Sequence, residues 1–178
     1  PKVNSYSFSQ RSFLFFDPAR NYLATDRVFS NSIRKSFLNT SSLSLDYTNR
    51  YVYLTSSFDP TRSSDGVELP ENTGYTYGDL EVNYRSDQRK SFNLDTKVTY
   101  GTFYNGTKFT VENEINWRKQ PIVNASMIVN FNAIELPKPY ASRNLWLVSP
   151  KVDFTFTKTL TWTTFVQYNL QGENLGVN

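Results

Sequence analysis

The sequence predicts an all-β protein, an antiparallel up-and-down transmembrane β-barrel. Three observations carry this. Apolar and polar residues alternate over long segments, turn residues separate those segments, and the connections sort into a short-turn end and a long-loop end. About eight strands are recognisable on this pattern. Residues 1–178 read as a single barrel segment, with successive hairpins over 32–178 and a strand or loop entry over 1–31.

Before Asn31 the alternation is broken. The apolar run Phe13 to Phe16, followed by Asp17-Pro18, suits either a strand end or a tucked loop. Strands are expected at 33–47 and 50–57 with a turn at 47–49. Leu80, Val82 and Tyr84 then alternate with Glu81, Asn83 and Arg85 before a turn at 86–89.

The clearest strand is 91–103. Phe92, Leu94, Thr96, Val98 and Tyr100 share one face, and Asn93, Asp95, Lys97 and Thr99 the other. Its partner is 107–118, with Phe109, Val111, Ile115 and Trp117 opposite Thr110, Glu112, Glu114 and Asn116. Between them Asn105-Gly106 is the strongest short-range hairpin signal, because both central positions of a type I′ turn need positive φ. A two-residue loop there pairs Tyr104 with Thr107, Tyr100 with Val111 and Leu94 with Trp117. It also sets a lumen ion pair, Lys97 with Glu114. Further on, a connection through 119–121 sets Trp117 beside Val123 and Phe109 beside Phe131. A tight turn at 157–159 sets Phe154 beside Trp162.

Strand length separates a barrel from a sandwich. Sandwich strands run about 5–6 residues, whereas a membrane strand needs about 9–11. The segments 91–103 and 107–118 exceed both, and their polar face carries Asp95, Lys97, Glu112 and Glu114 at mid-strand. Turns at 47–49, 86–90, 119–121 and 157–159 fall at one end. The longer 58–73, 136–142 and 171–174 fall at the other, together with 104–106. Aromatics follow the two ends: Tyr84, Trp117 and Trp162 near the short turns, and Tyr75, Tyr77, Tyr100, Phe103, Tyr104 and Tyr168 near the long loops. That is the distribution of two interfacial girdles.

Composition narrows the chemistry. The chain has no Cys and no His, which removes disulfides, thiolate and His-based triads, and His- or Cys-ligated metals. Nineteen basic residues stand against sixteen acidic ones with no basic run, so nucleic acid is not expected as a partner. No stretch approaches the roughly 18 apolar residues of a membrane helix. The mean hydropathy of −0.53 says nothing against a barrel, whose apolar positions are interleaved with polar ones.

Candidate chemistry is sparse. Glu112 and Glu114 share a face at a spacing near 7 Å, in the range of glycosidase carboxyl pairs, but are better read as lumen-facing carboxylates with Glu114 neutralised by Lys97. Asp59, Asp65, Glu68 and Glu71 in the long loop offer oxygen ligands without EF-hand spacing. Tyr75, Tyr77 and Tyr140 could stack on sugar rings or anchor at an interface. Asn39, Asn105 and Asn124 each begin an Asn-x-Ser/Thr pattern, incidental in a bacterial protein. No cofactor site is expected.

The segments Phe58-Asp59-Pro60, Leu69-Pro70, Gly74-Tyr75, Tyr84-Arg85-Ser86-Asp87, Gly101-Thr102-Phe103-Tyr104-Asn105-Gly106, Trp117-Arg118, Leu136-Pro137 and Thr164-Phe165-Val166-Gln167-Tyr168-Asn169 follow in this order. The ordered set resembles the C-terminal barrel region of a Gram-negative outer-membrane family of unassigned function. Members of that family carry an N-terminal domain similar to family 9 carbohydrate-binding modules. The resemblance covers roughly 37–178. It implies an outer-membrane location and association with glycan, and it transfers no catalytic residues. The chain departs from the family by lacking the carbohydrate-binding domain and the final strands, so it is expected to be part of a larger barrel. The expected function is a non-enzymatic outer-membrane component for transport, scaffolding or surface assembly. Its partners would be outer-membrane lipid, other outer-membrane or periplasmic proteins, further strands of the same protein, and glycan. A soluble extracellular carbohydrate-binding β-domain and an outer-membrane hydrolase using loop or lumen carboxylates are the alternatives.

Overall fold

The computed structural model describes residues 2–63, 66–169 and 174–177. They form one antiparallel sheet in which each strand pairs with its neighbours in sequence. The strands are β1 (Val3–Asp17), β2 (Leu23–Phe37), β3 (Ser42–Leu54), β4 (Thr73–Arg85), β5 (Phe92–Phe103), β6 (Gly106–Lys119), β7 (Val123–Glu135), β8 (Arg143–Thr155), β9 (Thr161–Asn169) and β10 (Asn174–Val177). A 3-10 turn at Pro18–Arg20 is the one departure from strand and loop among the described residues. The up-and-down antiparallel order matches expectation. The sheet does not close: β1 and β10 are its two edges.

Ten strands replace the eight expected: β1 lies wholly within 1–31, β2 begins there at Leu23 where the expected strand began at 33, and β10 adds a short strand at 174–177. Phe13 to Phe16 is a strand end. The chain leaves it through Asp17, whose carboxylate accepts from the Ala19 amide at 2.9 Å, and through Asn21 and Tyr22 at positive φ. The turn expected at 47–49 is absent, since β3 runs straight through it and Asn49 pairs with both Phe29 and Gly78. The chain turns instead at 38–41, where the Asn39 side chain accepts from the Ser41 amide and hydroxyl and Thr40 takes a φ of 66°. This moves the turn without changing its end of the sheet. Connections 38–41, 86–91, 120–122 and 156–160 lie at one end, and 18–22, 55–72, 104–105 and 136–142 at the other.

The β5–β6 hairpin corrects the expected register. Its two-residue connection is Tyr104-Asn105, closed by the pair Phe103 and Gly106. Tyr104 has a φ of 52°, whereas Asn105 and Gly106 do not take positive φ. These are the φ signs of a type II′ rather than a type I′ turn. Tyr100 therefore faces Phe109, Leu94 faces Ile115 and Phe92 faces Trp117. The β6–β7 pairs move likewise, with Trp117 opposite Ala125 and Val111 opposite Phe131, whereas Phe154 meets Trp162 as expected. A shift of two residues leaves every side chain on its own face, so alternation alone cannot detect it.

Facing residues stay on one side of a sheet, so the register sorts the whole surface. One row runs Phe8, Ile33, Leu45, Val82, Val98, Val111, Phe131 and Trp146 across eight strands. The adjacent row, on the opposite face, runs Ser9, Ser32, Asp46, Glu81, Thr99, Thr110 and Asn132. The apolar face is the open one: Ile33 is 55% exposed, Leu45 44% and Trp146 44%. Ser44, Asn93, Thr110 and Ser149, all on the polar face, are buried. Among the described residues no second sheet covers the apolar face. Gln10, Asn31 and Lys35 interrupt it in β1 and β2.

The buried apolar side chains Leu54, Leu69, Tyr77, Ile134 and Leu136 all belong to the long-loop end. There residues 55–72 fold back on themselves, with Phe58 and Leu69 exchanging backbone hydrogen bonds of 3.2 and 2.8 Å. The short-turn end is held by polar contacts. Asp87 accepts from the Arg89 amide, Nε and Nη2 at 3.0–3.1 Å and from the Thr40 hydroxyl at 3.1 Å, joining connections 38–41 and 86–91. The forked Arg89 hydrogen bonds, above all, hold the Asp87 carboxyl well below the usual carboxylate range.

Gly106 is required by space, not by positive φ. A Cβ there would collide with the Glu135 carbonyl oxygen and approach the Leu136 Cα to 2.9 Å. Gly106→Ala should destabilise the sheet by about 1–3 kcal/mol, read from the urea midpoint, whereas Asn105→Ala should change it by less than about 0.5 kcal/mol. The depressed Asp87 value predicts a sign for pH. Its contribution is full above the ordinary carboxyl value of about 3.9 and is lost as pH falls through the lowered folded value. The difference in unfolding midpoint between the natural chain and Asp87→Asn should be constant near neutrality and shrink below about pH 3.9. A difference that grows on acidification would contradict this clamp.

Candidate functional site

Among the described residues the polar face is the broad surface on which the register gathers chemistry-bearing side chains from many strands, and it is hollowed. One hollow of about 320 Å³ is lined by Arg50, Tyr77, Asp79, Glu81, Lys108 and Glu112 together with backbone-proximal Thr and Gly residues. A second, of about 390 Å³, lies toward the short turns beside Asp95, Lys97, Glu112 and Glu114. A third, of about 520 Å³, lies over β1–β3. Alternation brings these groups to one side, and the antiparallel ladder sets them in rows.

Several charges on this face are neutralised within it. Lys97 pairs with Glu112 at 2.8 Å, Arg85 with Asp95 at 3.7 Å and Lys151 with Asp153 at 3.2 Å. Glu81 accepts from the Thr99 hydroxyl at 3.2 Å, and Asn132 from the Thr110 hydroxyl at 2.9 Å. The expected Lys97–Glu114 pair is not formed. The Tyr104-Asn105 turn places Glu112 opposite Lys97 and Glu114 opposite Asp95, and Glu114 takes a hydrogen bond from Asn116 at 3.0 Å. Glu112 and Glu114 are thus each engaged by a neighbour of opposite or complementary character.

The aromatics divide between the faces. Tyr84, Trp117 and Trp162 stand on the apolar face near the short turns, 44%, 46% and 52% exposed, and Tyr100 and Tyr168 stand on it toward the long loops. Tyr104 does not join them. From the turn its ring lies 4.9 Å from Phe103, 5.2 Å from Tyr77, 5.4 Å from Tyr75 and 5.9 Å from Phe58, centroid to centroid. Tyr75, Tyr77 and Phe103 occupy polar-face positions, so this cluster caps that face at the long-loop end. Burial, with the Tyr77 hydroxyl beside it, pushes the Tyr104 phenol up to about 12, so it stays protonated at neutral pH. Tyr75 and Tyr77 are engaged in the cluster instead of projecting as sugar platforms.

The long loop satisfies its own acid. Asp59 Oδ1 accepts from the Thr61 amide and hydroxyl at 2.8 and 2.7 Å, and Oδ2 from the Ser63 amide and hydroxyl at 2.8 and 3.0 Å. Burial opposes ionisation there, but these hydrogen bonds outweigh it and hold Asp59 below its ordinary value. Glu68 accepts from the Ser57 hydroxyl. Asp65, offered with them as an oxygen ligand, lies outside the described residues, as do most of 171–174. Among the described residues no group of three or more metal-ligating side chains comes together. Sequence reasoning missed Arg50, Asp79 and Lys108 around the first hollow, and Arg11 and Arg34 around the third. The signal for the last two was present in β1 and β2 but hidden by the broken alternation. No family model, no curated protein and no solved structure matches this chain.

The observed register makes a specific energetic prediction. A double-mutant cycle on Lys97→Met and Glu112→Gln should give a coupling of about 0.2–1 kcal/mol, modest because both side chains are partly exposed. The same cycle on Lys97→Met and Glu114→Gln should give a coupling smaller than that. Equal couplings, or a larger one for Glu114, would contradict the Tyr104-Asn105 turn.

Proposed function

We propose that this sheet is part of the wall of an outer-membrane β-barrel, a non-enzymatic component for transport, scaffolding or surface assembly in a Gram-negative envelope. The observation that carries the reading is the inverted polarity of the two adjacent rows: continuous apolar side chains on the open face, hydroxyls, amides and charges on the hollowed one. A water-soluble sheet buries the first kind of face, and a barrel turns it to lipid. Strand length supports it, since β1 to β8 run 12 to 15 residues. The rises from Phe92 to Tyr100, at about 3.4 Å each and a tilt of about 40°, cover about 20 Å of a membrane normal, against an apolar band of about 25 Å.

Local chemistry is compatible with that setting. Thr96 and Asn113 are polar residues in the apolar face, and the Thr96 hydroxyl donates to Asn113 Oδ1 at 2.9 Å. Lys35 lies near the short turns with its ammonium over Tyr6 and Phe37, as a lysine reaching toward an interface would. The short turns would face the periplasm and the 55–72 and 136–142 loops the outside. The edges β1 and β10 would need strand partners, from one another or from further strands, because an unpaired backbone group in hydrocarbon costs several kcal/mol. The resemblance of the ordered segments to the outer-membrane family supports the location and an association with glycan.

The tryptophans give a direct test. Trp117, Trp146 and Trp162 all lie on the apolar face. In vesicles of brominated phosphatidylcholine their fluorescence should be strongly quenched, and aqueous acrylamide should quench it weakly. The folded protein should need detergent and migrate faster on an unboiled gel than after boiling. A monodisperse protein without detergent, with acrylamide-accessible tryptophans, would favour the soluble carbohydrate-binding domain instead.

A further inference from the structure

The first two strands carry the same short pattern, Ser7-x-Ser9-x-Arg11 and Ser30-x-Ser32-x-Arg34. Antiparallel pairing puts Arg11 opposite Ser30, Ser9 opposite Ser32 and Ser7 opposite Arg34. The repeat thus becomes a local two-fold arrangement on the polar face, an arginine at each of two opposite corners and serine hydroxyls between them. All six residues line the hollow of about 520 Å³. The Cα atoms of the two arginines are about 13 Å apart along the strands, a gap their side chains can bridge by converging on the Ser9–Ser32 row. Ser30 shares a hydrogen bond of 3.2 Å with Thr48. Among the described residues neither Arg11 nor Arg34 has an ion pair, whereas Lys97, Arg85, Arg89 and Lys151 each do.

We propose that this patch is an anion site for a phosphate or sulfate group borne by a small polar solute. A guanidinium offers a planar fork of N–H donors that matches two oxygens of such a group, and hydroxyls can donate to the remaining ones. The third strand repeats the spacing with an acid, Ser42-x-Ser44-x-Asp46. Asp46 faces Ser32 on one side and Glu81 on the other, and both carboxylates line the same hollow. The anion therefore sits over β1–β2, and Asp46 opposes it. Binding is modest and salt-sensitive, because the arginines are exposed and screening acts within about 10 Å at 0.1 M salt. The site rests on the β1–β3 register, not on the membrane reading, so failure of the tryptophan test leaves it standing.

The experiment titrates inorganic phosphate, inorganic sulfate and a short-chain phosphatidic acid into the full chain in a non-ionic detergent at low ionic strength, followed by calorimetry. Both inorganic ions should bind saturably. Arg11→Gln and Arg34→Gln should each weaken binding about five- to tenfold, and Lys158→Gln, in the 156–160 connection, should leave it unchanged. Asp46→Asn keeps both arginines and removes the opposing charge, so it should tighten binding; this arm stands if an arginine variant misfolds. Absence of saturable inorganic-ion binding, binding of phosphatidic acid alone, or unchanged affinity in a folded Arg11→Gln, Arg34→Gln double variant would overturn the proposal. Weaker binding by Asp46→Asn would overturn it too.

Discussion

Everything in this sheet depends on the two-residue side-chain period of an extended chain whose backbone is tied into an antiparallel ladder. The ladder makes each side chain a neighbour of those directly across from it, so the choice made by one strand propagates to the next. From Phe8 to Trp146 that propagation yields an apolar row, and one residue away it yields a polar one. Such a sheet has no conventional core. Among the described residues the buried apolar side chains lie at one end, and the remaining apolar surface is left exposed.

The two ends solve different problems. At the short-turn end Asp87 gathers Arg89 and Thr40, so a charge-assisted network holds two successive connections together. At the long-loop end residues 55–72 carry their own bridge between Phe58 and Leu69 and a carboxylate, Asp59, saturated by Thr61 and Ser63. Tyr104 then links that loop to the sheet through Phe58, Tyr75, Tyr77 and Phe103. A turn residue thereby serves as the centre of an aromatic cap, and the polar face below it is walled at that end.

The charges on the polar face follow from register at a finer level than polarity does. Lys97 finds Glu112, and Arg85 finds Asp95, because the Tyr104-Asn105 connection brings those rows together. Around β1–β3 the balance differs: two arginines stand beside serines with no ion pair among the described residues, and two carboxylates stand one and two strands away. The face is near neutral along most of its extent and polarised across its first strands.

The sequence by itself determined the all-β antiparallel up-and-down order, the two faces and the two ends. Phe92, Leu94, Val98 and Tyr100 against Asn93, Asp95 and Lys97 carry a period of two that no helix can satisfy, and the two sets do fall on opposite faces. It also located the short turns after Tyr84, Trp117 and Phe156, where polar and Pro residues interrupt alternation. Only the tertiary structure decided the rest. Whether Lys97 meets Glu112 or Glu114 turns on a two-residue shift that leaves the pattern unchanged; it was settled by the turn at Tyr104 and by the fit of Gly106 against Glu135 on β7. β1 and the first half of β2 were illegible because Gln10 and Asn31 occupy apolar-face positions, and only the pairing of β1 with β2 and of β2 with β3 shows those residues to be in strands. Tyr104 read as a girdle aromatic because its spacing fits one, but a turn residue has no strand parity, and the packing of its ring chose the polar face.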